Sequence, residues 1–129
     1  MKTGALLFGS FFGFFAILLG AFGAHKFKEI LSLERLTSFE TGVKYQMYHA
    51  IVLLIIGFMF DGKSGLEKTT IYFFIFGTIL FSCSIYLLSF QEVWQVNLKF
   101  LGPITPLGGL LMMLGWALLF WNFLNNYKS

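Results

Sequence analysis

Four apolar runs, at residues 5–24, 45–60, 70–90 and 106–124, constrain this chain more than any motif it carries. An α-helix needs about 20 predominantly apolar residues to cross a hydrocarbon core of ~30 Å, and each run approaches or meets that length. A water-facing surface is out of reach: charged residues make up 12% of the sequence, whereas a soluble domain carries roughly a quarter. Apolar residues supply 57% and aromatics 20%. A β-barrel would show short alternating segments in place of unbroken runs. The expected fold is therefore all-α: a single-domain (1–129) integral membrane bundle of four transmembrane helices, near residues 3–24, 33–60, 68–90 and 105–125.

The second helix is expected to be long and partly interfacial. Ser32 is a suitable N-cap, because its hydroxyl can accept from an exposed amide of the next turn. From Leu33 nothing breaks the helix before Asp61-Gly62 except a tolerable Gly42. That gives a span of about 42 Å at 1.5 Å per residue, so its first turns should ride among the headgroups. There Leu33, Leu36 and Val43 are expected to face inward, with Glu40 and Lys44 as a surface i,i+4 pair. Thr105-Pro106 reads as the cap and first-turn proline of helix four. The first run, with Lys2 before it and Ala21, Gly23 and Ala24 near its end, has the outline of a signal peptide. It is longer than a typical signal core and is read as helix one.

Small residues mark two packing faces. Gly9, Gly13, Ala16, Gly20 and Gly23 fall within an arc of about 80° on helix one. Such a face lets another helix backbone approach closely; the partner is either within the chain or another subunit. On helix four, Gly108, Met112, Gly115 and Leu119 form a second groove.

Antiparallel connectivity brings the polar residues of the spans to one leaflet. Helix two offers Thr41, Tyr45, Tyr48 and His49 on one face, with Gln46 beside it. Helix three offers Thr78, Ser82, Tyr86 and Ser89. Helix four offers Thr105, Gly108 and the free amides of its first turn, a partial positive charge. The other leaflet reads as nearly pure hydrocarbon. The candidate ligand site is His49, Gln46, Tyr45, Ser82, Tyr86, Thr105 and Gly108. The same groups would equally serve as a hydrogen-bonded network that locks the bundle, since an embedded polar side chain needs a partner.

Several chemistries lack their residues. The single cysteine, Cys83, excludes an internal disulfide, and the chain has no CxxCH, no HExxH and no embedded carboxylate for a metal shell. No metal or cofactor is expected, although His25 and His49 leave open a haem or redox alternative. No Asp, Glu, Lys or Arg sits mid-helix for a proton relay, and nothing marks an activated nucleophile, so an enzyme is not expected. The net charge of +3 speaks to lipid headgroups; the basic residues form no face for nucleic acid. Lys2, Lys63, Lys68 and Lys128 lie on the side of the termini, and Lys26, Lys28, Arg35, Lys44 and Lys99 on the other. That is almost no bias; only the short Lys2 tail favours cytoplasmic termini.

The segments GAFGAHKF (20–27), TGVKYQMYHA (41–50), LFSCSIYLL (80–88), GPITPLGG (102–109) and LGW (114–116) resemble, in order, the signatures of the domain of unknown function 423 family, small bacterial membrane proteins with animal relatives. Cys83 departs from it where a glycine is expected, and the residue stays small. The resemblance implies a four-helix integral protein of the bacterial inner membrane and brings no activity or catalytic residues. Three readings of function follow: a protein binding a membrane lipid or small amphiphile in the polar cluster; a structural or assembly subunit joining copies of itself or a membrane-protein partner through the glycine face of helix one; or a haem protein using His25 and His49.

Overall fold

The computed structural model describes residues 1–127; Lys128, counted above among the charges beside the termini, lies outside them. Its helices are α1 (Lys2–Ala24), a short α2 (Lys26–Ile30), α3 (Leu33–Met59), α4 (Gly65–Phe90) and α5 (Ile104–Asn126). Among the described residues, four are long and apolar enough to cross a membrane: α1, α3, α4 and the segment ending in α5. The outward surface is apolar, with Phe11, Phe14, Ile17, Phe58, Met113 and Phe120 all exposed. Only a hydrocarbon solvent makes that arrangement stable, so the fold is the expected membrane-spanning bundle.

Local signals set most boundaries. Ser32 caps α3, its hydroxyl accepting from the Arg35 amide at 3.3 Å. The helix stops at Phe60 and the chain turns through Gly62, whose φ of 73° falls in the left-handed region that favours glycine. In that turn the Asp61 carboxylate accepts from the Lys63 amide at 2.8 Å, and this hydrogen bond, more than nearby charge, holds it below its ordinary pKa. Ser64 then caps α4, accepting from the Leu66 amide, so the helix opens three residues before the apolar onset suggested. The polar first turn, GLEK, conceals that start.

The glycine face of α1 is covered within the chain. A Cβ on Gly9 would stand 3.0 Å from the Ala50 carbonyl oxygen, one on Gly20 3.4 Å from Val43, and one on Gly23 3.3 Å from Phe39. Gly13 also faces Ala50, and Ala16 is buried in the same seam. The partner of that stripe is α3. The second seam, between α4 and α5, is tighter. A Cβ on Gly77 would meet the Met112 backbone nitrogen at 2.8 Å, and one on Gly108 would collide with the Phe81 backbone and lie 2.8 Å from the Gly77 carbonyl oxygen. A π-helical turn at Ile79–Cys83 sits at this crossing. Met112, Gly115 and Leu119 continue the seam, buried as the spacing predicts. The main core lies where the seams meet, around Phe12, Leu53, Ile56, Ile71 and Phe74. A smaller cluster of Leu31, Leu36 and Phe39 closes the end near α2, where Phe27 packs edge-on against Phe39 and Phe90.

Four expectations are corrected. Leu33 is 81% exposed: it opens α3 on a side turned away from the buried Leu31 and Leu36. Leu36 and Val43 do face inward. Glu40 and Lys44 make no ion pair; among the described residues the pair is Arg35–Glu92, at 2.9 Å, formed across 57 residues of sequence. Thr105 does not cap helix four, which opens at Ile104 after Pro103 with no side-chain cap, because the Thr105 hydroxyl is drawn to Ser84. The leaflet of the termini is not pure hydrocarbon: Glu67, Thr70 and Asn122 are buried there, with Glu67 accepting from the Gly62 amide at 3.0 Å.

The α4–α5 crossing tolerates no side chain. Gly108→Ala is expected to lower stability by about 1–3 kcal/mol through overpacking. Gly65→Ala, at a helix start with no neighbour within 4 Å, should be neutral or slightly stabilising. Thermal unfolding of detergent-purified protein checks both; equal melting temperatures for the two variants would contradict the crossing geometry.

Candidate functional site

The embedded polar residues form two layers that differ in what they leave free. The deeper layer is closed. Gln46, 6% exposed, donates from Nε2 to the Phe12 carbonyl oxygen of α1 at 2.9 Å. A carbonyl can only accept, so the amide orientation follows, and Oε1 accepts from the Tyr86 hydroxyl of α4 at 2.7 Å. One side chain on α3 thus ties the helices on either side of it. One turn further, the His49 Nδ1 lies 2.7 Å from the Tyr45 carbonyl oxygen, while its Nε2 accepts from the Trp116 indole N–H of α5 at 3.2 Å. A carbonyl accepts and an indole donates, so His49 is the neutral ring with its proton on Nδ1.

Two serines of the π-helical region extend this layer in opposite directions. Ser82 donates to the Gly42 carbonyl oxygen of α3 at 2.8 Å. Ser84 donates to the Phe81 carbonyl oxygen and stands 2.6 Å from the Thr105 hydroxyl. Its one proton is spent, so Thr105 donates to it. Tyr45 contributes its ring, packed on Phe81 with centroids 5.0 Å apart. Gly108 is shut against the α4 backbone.

The upper layer is open. Towards the headgroups lies a groove of about 430 Å³ lined by Arg35, Ser38, Thr41, Ile85, Leu88, Ser89, Gly102, Thr105 and Pro106. Its walls combine the aliphatic side chains of Ile85 and Leu88 on α4 with hydroxyls and one guanidinium. The first amides of α5 open beside Thr105 without a side-chain cap, and such amides have no intrahelical acceptor. Of the seven residues picked out for a ligand, the structure brings His49, Gln46, Ser82 and Tyr86 into mutual or backbone hydrogen bonds. Thr105, which bonds Ser84, also borders the groove.

The geometry does not fit a haem held between His25 and His49 of one chain. Across the α1–α3 seam Gly23 meets Phe39, Gly20 meets Val43 and Gly13 meets Ala50. His25 therefore comes level with the region of residue 37, twelve residues or about 18 Å along the axis from His49. Two axial ligands must flank one iron. The His49 ring nitrogens are moreover both occupied. Among the described residues no three His, Cys, Asp or Glu side chains gather as a metal site would need.

Sequence reasoning missed Arg35, Ser38 and Trp116, and treated Gly42 as merely tolerated. A Cβ on Gly42 would stand 2.8 Å from the Tyr86 ring. Trp116 carried a readable signal, since an indole N–H in an apolar run must find an acceptor. Arg35 carried none, because its partners come from the distant α4–α5 connection.

The sequence profile of a family described as "Protein of unknown function (DUF423)" matches residues 19–109. The chain belongs to that family. Similar curated proteins include the UPF0382 membrane protein YwdK of Bacillus subtilis (strain 168), 35% identical over 116 residues, covering 88% of this chain and 90% of the relative. The UPF0382 membrane protein SAB0533 of Staphylococcus aureus (strain bovine RF122 / ET3-1) is 37% identical, covering 88% and 89%. The UPF0382 inner membrane protein YgdD of Escherichia coli (strain K12) is 30% identical, covering 88% and 84%. No solved structure matches. The matched region runs from the end of α1 to the start of α5 and so contains Gln46, His49, Ser82, Tyr86 and Thr105. The family places the chain among membrane proteins without assigned activity.

The Gln46 tie is testable by a double-mutant cycle. Gln46→Leu and Tyr86→Phe should each cost about 0.5–2 kcal/mol, the range seen for hydrogen bonds between membrane helices. Because each single change strands the other partner, the double variant should cost less than their sum. Additive losses in reversible unfolding would show that the two groups do not interact.

Proposed function

We propose that this protein binds the polar head of a membrane amphiphile in the groove between α3, α4 and the start of α5. One observation carries the reading: the deeper polar residues consume one another's hydrogen-bonding capacity, while the groove above them combines unfilled volume, aliphatic walls and uncommitted donors. A lipid joins the same two characters, apolar chains and a polar head. The groove lies along the first turns of α3, a helix whose 27 residues exceed the hydrocarbon core, so it sits at headgroup depth. Binding at this site needs no embedded charge and no cofactor, in keeping with a chain that carries neither a mid-helix carboxylate nor a haem motif.

The setting we infer is the bacterial plasma membrane, supported by the relative named an inner membrane protein. Cytoplasmic termini are favoured by Lys2 alone. A green fluorescent protein fused to the C-terminus should fluoresce in intact cells; a dark, full-length fusion would reverse the orientation.

The groove itself is tested by filling it. Ser38 is exposed, lines the groove and makes no cross-helix bond among the described residues, so Ser38→Trp should occupy the volume without disturbing the closed layer. Native mass spectrometry of detergent-extracted protein should show co-purifying lipid in the parent and a loss of several-fold in Ser38→Trp at unchanged melting temperature. Equal lipid retention would reject the groove as the site.

A further inference from the structure

Resting on the groove as a headgroup site, we propose that it selects a head of net negative charge over a zwitterionic one, and that Glu92 is a built-in competitor that weakens this binding. The selection follows from counting what the lining can still donate. The Thr41 hydroxyl gives its proton to the Thr37 carbonyl, Ser89 to the Ile85 carbonyl, and Thr105 to Ser84. No carboxylate lines the groove, and its one formal charge is Arg35. A guanidinium has five N–H donors. Nε–H and one Nη2–H go to a single oxygen of Glu92, at 3.2 and 2.9 Å, which leaves three uncommitted. Together with the Ser38 hydroxyl they make a donor-rich, positively charged rim. An ammonium head would face that guanidinium with no acid to offset it. A neutral head would gain nothing from the guanidinium charge, which would stay with Glu92.

The competitor comes from the other side of the same side chain. Glu92 lines a neighbouring cavity of about 490 Å³ with Gln91, Gln95, Val96, Asn97 and Lys99, and Arg35 is the one residue that borders both. Glu92 is 64% exposed, against 29% for Arg35, so it can turn to water or towards Lys99 when an anion takes the guanidinium. Pairing of this exposed kind is weak and readily exchanged. Arg35 thus stands between an internal carboxylate and an external anion. Removing each partner of the pair has opposite consequences: losing Arg35 removes the receptor, and losing Glu92 removes its rival. A purely structural ion pair predicts the same direction for both.

Native mass spectrometry of the full chain, titrated in detergent with phosphatidylglycerol or phosphatidylcholine, reads this directly. The parent should prefer phosphatidylglycerol by roughly tenfold, the size of a charge-assisted hydrogen bond. Arg35→Gln should abolish the preference, Arg35→Lys should retain part of it, and Glu92→Gln should raise phosphatidylglycerol affinity about two- to fivefold while leaving phosphatidylcholine unchanged. Inorganic phosphate is the arm that separates sources. If it displaces phosphatidylglycerol at millimolar concentration, the anion is a soluble one; if it does not, the lipid head is the ligand. Equal retention of both lipids, or parallel losses in Arg35→Gln and Glu92→Gln, overturns anion selection. The groove reading fails separately, through undiminished lipid retention in Ser38→Trp.

Discussion

A bilayer offers no water to a stranded polar group, and that single constraint organises this protein. Gln46 shows how it is met. Its amide spends Nε2 on a carbonyl of α1 and Oε1 on the Tyr86 hydroxyl of α4, so satisfying one residue joins three helices. His49 repeats the device towards α5 through Trp116. Between hydrocarbon tails and apolar helices there is little hydrophobic gain to drive association. Such links, with close packing at the glycines, therefore supply the specificity that a water-soluble core would draw from burial.

Close approaches at glycines make those links reachable. A hydrogen bond of about 2.8 Å between side chain and backbone on different helices, as from Ser82 to Gly42, requires the backbones to approach closely. Gly42 against Tyr86 permits it between α3 and α4, and Gly77 against Met112 and Gly108 against Phe81 bring α4 and α5 together. The π-helical turn at Ile79–Cys83 falls at the same level, where Ser82 turns to α3 and Ser84 to α5. Packing and hydrogen bonding are here one design, in which the first sets the distance and the second fixes the register.

Closure of the deep layer gives the open layer its meaning. The ties of the deep layer reach as far as Ser84 and Thr105, and Thr105 also borders the groove. Arg35 reaches it from the interfacial turns of α3, a part of the chain that exists because that helix is longer than the hydrocarbon it crosses. Asn122 is the one buried side chain among the described residues whose nitrogen, Nδ2, finds no partner. It lies near the far end of the α4–α5 seam, where Glu67 and Thr70 are also buried.

Much was legible in the residues alone. Run length and the scarcity of charge required four membrane helices, Ser32 announced the start of the long one, and the period of Gly9, Gly13, Gly20 and Gly23 announced a packing face. Those signals are local, and helix geometry turns them directly into structure. The partners were not legible. Whether the glycine face meets α3 or another chain, whether Gln46 is spent or free, and whether the ion pair is Glu40–Lys44 nearby or Arg35–Glu92 far away all depend on which helices stand side by side. Sequence determined the spans and the residues that had to find partners. Only the tertiary structure decided who those partners are, because a hydrogen bond across helices depends on separation in space, which sequence distance does not encode.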